Sequence, residues 1–247
     1  MKHAIFITFL LVNLASCDQF DKKKVAGGKS EAIKNGTDIK YRKDGSILSE
    51  ANYVDGELNG EAINYYENGK VKTRLNYLKG KKEGLTTMYY ETGEKYRETQ
   101  YFDNKREGEV ITYHKNGKVA AKISYHEDFA GKGLVEFLSS GKQKTSYPDL
   151  KIEPIDNLSS RGEYLLKIYF EKDRKRAKYY VGDLTEGRFL NNNLTEIPVK
   201  DGYAIMKFNP PAPGSFTMQK LNIVGKWQTP TNNIYIVTKT YNLAIDF

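Results

Sequence analysis

Residues 60–84 read GEAINYYENGKVKTRLNYLKGKKEG, a strand, a turn, a second strand and a second turn, bounded by glycines. Asn68-Gly69 divides two runs rich in apolar and β-branched residues. Asn-Gly in that setting signals a hairpin, because both central residues of a type I′ turn need positive φ. The pattern returns in both directions. Gly45, Gly69, Gly93, Gly117 and Gly141 are each 24 residues from the last, and the first four stand in KDGS, ENGK, ETGE and KNGK. A second row, Gly36, Gly60, Gly84 and Gly108, marks the connecting turns, the last three ending YVDGELNG, YLKGKKEG and YFDNKREG.

Aromatics keep a finer beat. Tyr41, Tyr53, Tyr65, Tyr77, Tyr89, Tyr101, Tyr113, Tyr125 and Phe137 recur every 12 residues. That spacing holds one strand of about seven or eight residues and a turn, so 24 residues make one hairpin. Tyr65, Tyr89 and Tyr113 then form one column, and Tyr77, Tyr101 and Tyr125 another, near the two rims of an elongated antiparallel meander. Members of a column are two strands, roughly 9–10 Å, apart. Exposed tyrosine offers large contact area at low entropy cost, which makes both columns candidate binding rims. The competing reading has each ring packed over a neighbouring glycine turn.

The unit at residues 60–84 resembles the MORN-type repeat, in the variant found in bacterial proteins related to antitoxin components. It carries that pattern's aromatic pair (Tyr65-Tyr66), Asn-Gly turn, apolar-lysine strand, tyrosine and Lys-Gly-Lys-Lys-Glu-Gly. Residues 37–141 share the resemblance within an array assigned to 34–147, and the irregular Asp128–Gly133 suits a terminal repeat. MORN-type arrays are regarded as protein-interaction scaffolds, with lipid contact proposed for some.

From residue 148 to 247 the period is lost and short strands alternate with turns, clearest at 165–170, 178–184, 203–208, 216–224 and 234–245. Roughly seven strands in this span point to an immunoglobulin-like β-sandwich. The fold class is therefore all-β, a hairpin-repeat meander followed by a sandwich.

The N-terminus carries a different signal. Met1-Lys2-His3 is basic, and AIFITFLLV (residues 4–12) is apolar but spans only roughly 14 Å as a helix, too short to cross a bilayer. Leu14-Ala15-Ser16-Cys17 resembles a bacterial lipobox, which implies cleavage between Ser16 and Cys17 and lipidation of Cys17, the single cysteine. Residues 1–16 read as the signal peptide and 17–33, with Lys22-Lys23-Lys24 and Gly27-Gly28, as a flexible tether. The expected location is the cell envelope, attached to a membrane through the lipid.

Catalytic chemistry finds little support. His114 holds the repeat position of Tyr66 and Tyr90, and His126 that of Leu78 and Phe102, so both read as structural. Glu83 and Glu107 recur at one turn position, Asp183 and Glu186 flank a loop, and no spacing suggests a metal site. A formal charge of +8 is dispersed, so nucleic acid is not an expected partner. No cofactor is expected. Trp227 reads either as an exposed loop aromatic or as a cover for the end of the sandwich. The leading expectation is a non-enzymatic scaffold with a protein partner; the alternatives are an immunity or antitoxin-like protein at the envelope and a cell-wall or carbohydrate-binding module.

Overall fold

A computed structural model describes residues 33–171, 175–209, 212 and 214–246. The expected signal peptide, Ser16, Cys17 and the lysines of the expected tether lie outside the described residues. The array consists of β1 (Gly36–Tyr41), β2 (Ile47–Val54), β3 (Glu57–Tyr65), β4 (Val71–Leu78), β5 (Lys81–Lys82), β6 (Gly84–Tyr89), β7 (Lys95–Phe102), β8 (Lys105–Tyr113), β9 (Val119–His126), β10 (Phe129–Ala130) and β11 (Val135–Glu136). They form one antiparallel meander in chain order, with β5 on β4 and both β10 and β11 on β9.

The paired positive φ expected at the Asn-Gly turns is found instead at the connecting turns. At Asn68-Gly69 only the glycine has positive φ, +79°, while Tyr66 N–H donates to Lys70 O (2.8 Å) and Gly69 N–H to Tyr66 O (3.1 Å). That is a three-residue loop ending in a left-handed glycine, and the register slips by one beside it, between Asn64 and Tyr65. Asn68 spends its Oδ1 on the Lys70 N–H (3.0 Å), so its side chain stabilises the loop without a left-handed backbone. The same loop closes on Gly45, Gly93, Gly117 and Gly141. The two-residue turns with paired positive φ are the connecting ones: Asp55-Gly56, Lys79-Gly80, Asp103-Asn104 and Glu127-Asp128.

Gly60, Gly84 and Gly108 are correspondingly not turn residues. They lie in strands β3, β6 and β8 at positive φ, opposite Tyr77, Tyr101 and Tyr125 of the next strand. An aromatic ring set across from a glycine covers the backbone that the missing side chain leaves open.

The second region contains β12 (Leu150–Asn157), α1 (Leu158–Arg161), β13 (Glu163–Phe170), β14 (Ala177–Val181), β15 (Thr195–Ile197), β16 (Val199–Lys200), β17 (Tyr203–Phe208), β18 (Phe216–Gln228) and β19 (Ile234–Asp246). Two four-stranded sheets, β12-β13-β17-β16 and β15-β14-β18-β19, share a core of Leu150, Leu166, Ile168, Phe170, Tyr179, Ile223, Trp227 and Leu243. The strand expected at 178–184 stops at Val181, where Gly182 takes φ +132°. The strand expected to end at 224 runs on to Gln228. Gly225 does not break it, because the space beside its Cα holds the Phe170 ring: a Cβ there would come within 2.7 Å of Phe170 Cζ.

Residues 34–247 form one compact unit. A second core joins its two regions, with Val110, Ile123, Tyr125, Ala130 and Leu134 of the array packed against Leu184, Val224 and Ile236. Lys142–Pro148, read in the sequence as a polar link, takes part. Tyr147 stacks on Tyr235 at 4.7 Å between ring centroids, and Lys144 pairs with Glu136 at 2.8 Å.

Candidate interaction surface

The repeat places chemically similar side chains in register on every second strand, and hydrogen bonds fasten each hairpin to the next. Arg42 Nη2 donates to Tyr65 O (2.5 Å), Tyr66 Oη to Tyr89 O (2.7 Å) and Tyr90 Oη to Tyr113 O (2.7 Å). His114 Nε2 reaches Phe137 O at 2.9 Å, where it must donate because a carbonyl only accepts. The histidine thus does a tyrosine hydroxyl's work at the tyrosine position. At the loop tips, Asn68 Nδ2 donates to Glu91 O (3.0 Å) and Asn116 Nδ2 to Ser139 O (2.8 Å).

Column one occupies a polar face. Tyr65 Oη donates to Glu50 and Tyr113 Oη to Glu98, each reaching the strand pair that precedes it. Burial first, and then the carboxylate neighbour, pushes both phenols up to about 12. Glu98 is held below the usual carboxylate range by Lys95 and then by Tyr113. Arg74 lies between these pairs, bonded to Glu61 at 2.6 Å. Along one row, Glu50, Arg74, Glu98 and Lys122 alternate in sign at the 24-residue spacing.

Column two is built differently. Each tyrosine faces a glycine, and a cation sits over the ring of Tyr101 (Lys82, 5.7 Å from the centroid) and of Tyr125 (Arg106, 4.0 Å). Tyr77 and Tyr101 are half-buried, whereas Tyr125 is 8% exposed within the core shared with the sandwich. The structure therefore brings the six tyrosines into two columns but gives them unequal access to solvent.

The remaining candidates have structural neighbours. Glu83 accepts the Asp103 N–H and Glu107 the Glu127 N–H, both at 3.0 Å, so this acid position pins the connecting turns. His126 pairs with Glu107 at 3.0 Å, which raises the imidazole's affinity for its proton, and its ring lies 5.5 Å from Phe189. Asp183 accepts from Asn222 Nδ2 at 2.6 Å beside a shallow hollow of about 130 Å³. Trp227 is 5% exposed inside the sandwich, packed edge-on to Tyr235, and is no loop aromatic. Among the described residues, no group of three or more His, Cys, Asp or Glu side chains is placed to hold a metal ion.

Glu136 carries no sequence signal, yet it is the most heavily bonded acid of the chain's described residues. Only 4% exposed, it accepts from Thr229 Oγ1 (2.9 Å), Thr231 Oγ1, Asn233 Nδ2 (2.8 Å) and Lys144 Nζ (2.8 Å). Burial pushes its carboxyl up, but these four donors outweigh that and hold it below the usual range.

A comparison of the whole chain with curated proteins finds no match. Residues 58–79, 82–104 and 106–127 match the MORN repeat variant, three consecutive units of the array whose geometry is given above.

Proposed function

We propose that this protein is a non-enzymatic interaction scaffold of the cell envelope, anchored to a membrane by lipid on Cys17. Its repeat sheet would engage a protein partner. MORN repeats generally serve as protein- and membrane-interaction motifs, and the three matched units support that use of the array. The observation that carries the reading is the ladder from hairpin to hairpin, which makes the sheet a fixed platform. Charged side chains along the Glu50, Arg74, Glu98 and Lys122 row then stand at regular distances for a partner to read. The sandwich fits an immunoglobulin-like module. With β15 and β16 counted as one strand that changes sheets, its strands run 1-2-5-4 in one sheet and 4-3-6-7 in the other. This order supports an ABED and CFG arrangement in which the fourth strand contributes to both sheets.

Two experiments test the parts separately. Cys17→Ser should release the protein from the membrane fraction while its circular dichroism stays unchanged; retention at high salt refutes the anchor. A photo-crosslinking residue at Arg74 or Lys122 should capture a protein in intact cells, and one at Lys220 on the sandwich should not. Capture from the sandwich alone refutes the role given to the array.

A further inference from the structure

A hollow on the sandwich, beside the array, is built from fixed polar groups. It holds about 130 Å³ and is lined by Gly182, Asp183, Leu184, Asn222, Thr238 and Thr240 among others. Strands β18 and β19 give its floor, since Asn222 and Thr240 face each other in register and Thr238 lies two residues along on the same side. The loop after β14 gives its wall. Gly182 turns the chain there at φ +132°, and Thr185 and Phe189 close the loop through N–H···O bonds of 2.9 Å in both directions. Asn191 Nδ2 donates to Asp183 O at 2.9 Å and ties down the start of the loop. Gly187 lines the hollow without a side chain, and the space where its Cβ would stand is empty.

The hollow offers both acceptors and a donor. Asp183 Oδ1 accepts from Asn222 Nδ2 (2.6 Å), and Asn222 Oδ1 accepts from the Thr240 hydroxyl (2.8 Å). That chain of bonds orients the Asp183 carboxylate and leaves its second oxygen, together with the Thr240 oxygen, to accept from a ligand. Thr238 Oγ1 accepts from Lys132 Nζ of the array at 3.4 Å, so its own proton remains to be donated. A phosphate would be repelled by Asp183. A divalent cation would find a single acid and a lysine close by. We infer that the hollow binds one neutral sugar residue, free or at the end of a glycan. Two neighbouring hydroxyls of a sugar ring match the Asp183 and Thr240 oxygens, and the bond to the carboxylate is charge-assisted. Thr238 donates to an oxygen of the same ring. A hollow of this size takes one ring and not a chain of them, and it lies where the two regions of the protein meet, a common place for small-ligand sites. The site is separate from the array's charged row and does not depend on the role given to that row.

Titration of the isotope-labelled full chain, followed by amide resonances, tests this with glucose, galactose, mannose and N-acetylglucosamine as probes. At least one of them should move the resonances of Asp183, Gly187 and Thr240. Half-saturation should fall at about 1–10 mM, as a ligand of about a dozen heavy atoms allows. Asp183→Asn keeps an oxygen for Asn222 but removes the charge, and should raise half-saturation about tenfold. Thr238→Val deletes one donor from an exposed position and should raise it severalfold, while Lys207→Ala on the other sheet should leave it unchanged. The trimer of the sugar that binds separates the two sources: undiminished binding assigns the end of a glycan, and loss of binding assigns a free sugar. No movement with any of the four sugars, movement with calcium or inorganic phosphate instead, or unweakened binding in both Asp183→Asn and Thr238→Val overturns the proposal.

Discussion

Glu136 of the last array strand accepts a 2.9 Å hydrogen bond from Thr229, at the turn between the two longest strands of the sandwich. Thr229 is fully buried, so bulk solvent does not reach its hydroxyl. Glu136→Ala should therefore strand several donors at once and cost about 3 kcal/mol or more, read from denaturant unfolding. Glu136→Gln should cost less, because the amide oxygen still accepts.

Acid should act through the same residue. The folded-state carboxyl lies below its ordinary value, so its contribution is complete above about pH 4.3, the unfolded value. That contribution is lost as pH falls through the lower folded value. Melting temperature should drop more steeply between about pH 5 and pH 3 in the native chain than in Glu136→Gln. Parallel profiles would remove Glu136 from the acid response.

Gly93→Val should destabilise the array more than Lys95→Ala. A Cβ at Gly93 would meet only Lys70, at an ordinary 3.6 Å, so the cost comes from φ +106° and not from crowding. A β-branched residue in that conformation costs about 1–2 kcal/mol. Lys95 contributes an exposed pair with Glu98, a contact of about 0–1 kcal/mol. Equal midpoints in urea would contradict the three-residue loop.

Tyr90→Phe removes one rung of the ladder and leaves the ring in place. The expected loss is about 1 kcal/mol, because the Tyr113 carbonyl loses a part-buried donor. His114→Phe should behave alike at the next rung, because the Phe137 carbonyl loses its donor there. Urea midpoints equal to that of the native chain in both variants would reject the ladder.

The array was legible because its signal is repeated: a 24-residue glycine period and a 12-residue aromatic period leave one hairpin per unit. The turn types were not, since Asn-Gly permits two left-handed residues without requiring them, and the extra residue before each glycine is visible only as a register slip. Asp103-Asn104 and Glu127-Asp128 adopt the paired left-handed turn without glycine, which asparagine and aspartate tolerate better than most residues. The shared core was hidden for another reason. Leu134, Leu184 and Ile236 come from aperiodic stretches, and the four donors to Glu136 are drawn from residues 144, 229, 231 and 233, so no local pattern could group them. Of the two readings of Trp227, the loop aromatic fails because β18 runs through Gly225, whose missing side chain leaves room for the Phe170 ring.

The two tyrosine columns should separate under alanine substitution, and the order of their losses tests whether either is a binding rim. Tyr125 is 8% exposed, faces Gly108 and lies in the core shared with the sandwich. Truncating a buried aromatic there should cost about 3–5 kcal/mol. Tyr101, at the same repeat position, is half-buried and has no sandwich above it, so Tyr101→Ala should cost less. Tyr65 and Tyr113 should fall between them, because each loses ring burial together with a carboxylate partner. Phenylalanine separates those two contributions. Tyr113→Phe keeps the packing but frees Glu98 from one donor, and it deletes a phenol that titrates at about 12. A raised phenol stabilises the fold below its ordinary value near pH 10, and that stability is lost as pH rises through about 12. Tyr113→Phe should thus blunt the alkaline loss of stability between about pH 10 and 12, and an unchanged alkaline profile would reject this. A column whose alanine variants stay fully stable yet lose the crosslinked partner is a binding rim. If every position costs several kcal/mol, the tyrosines hold the platform together and recognition belongs to the charged row between them.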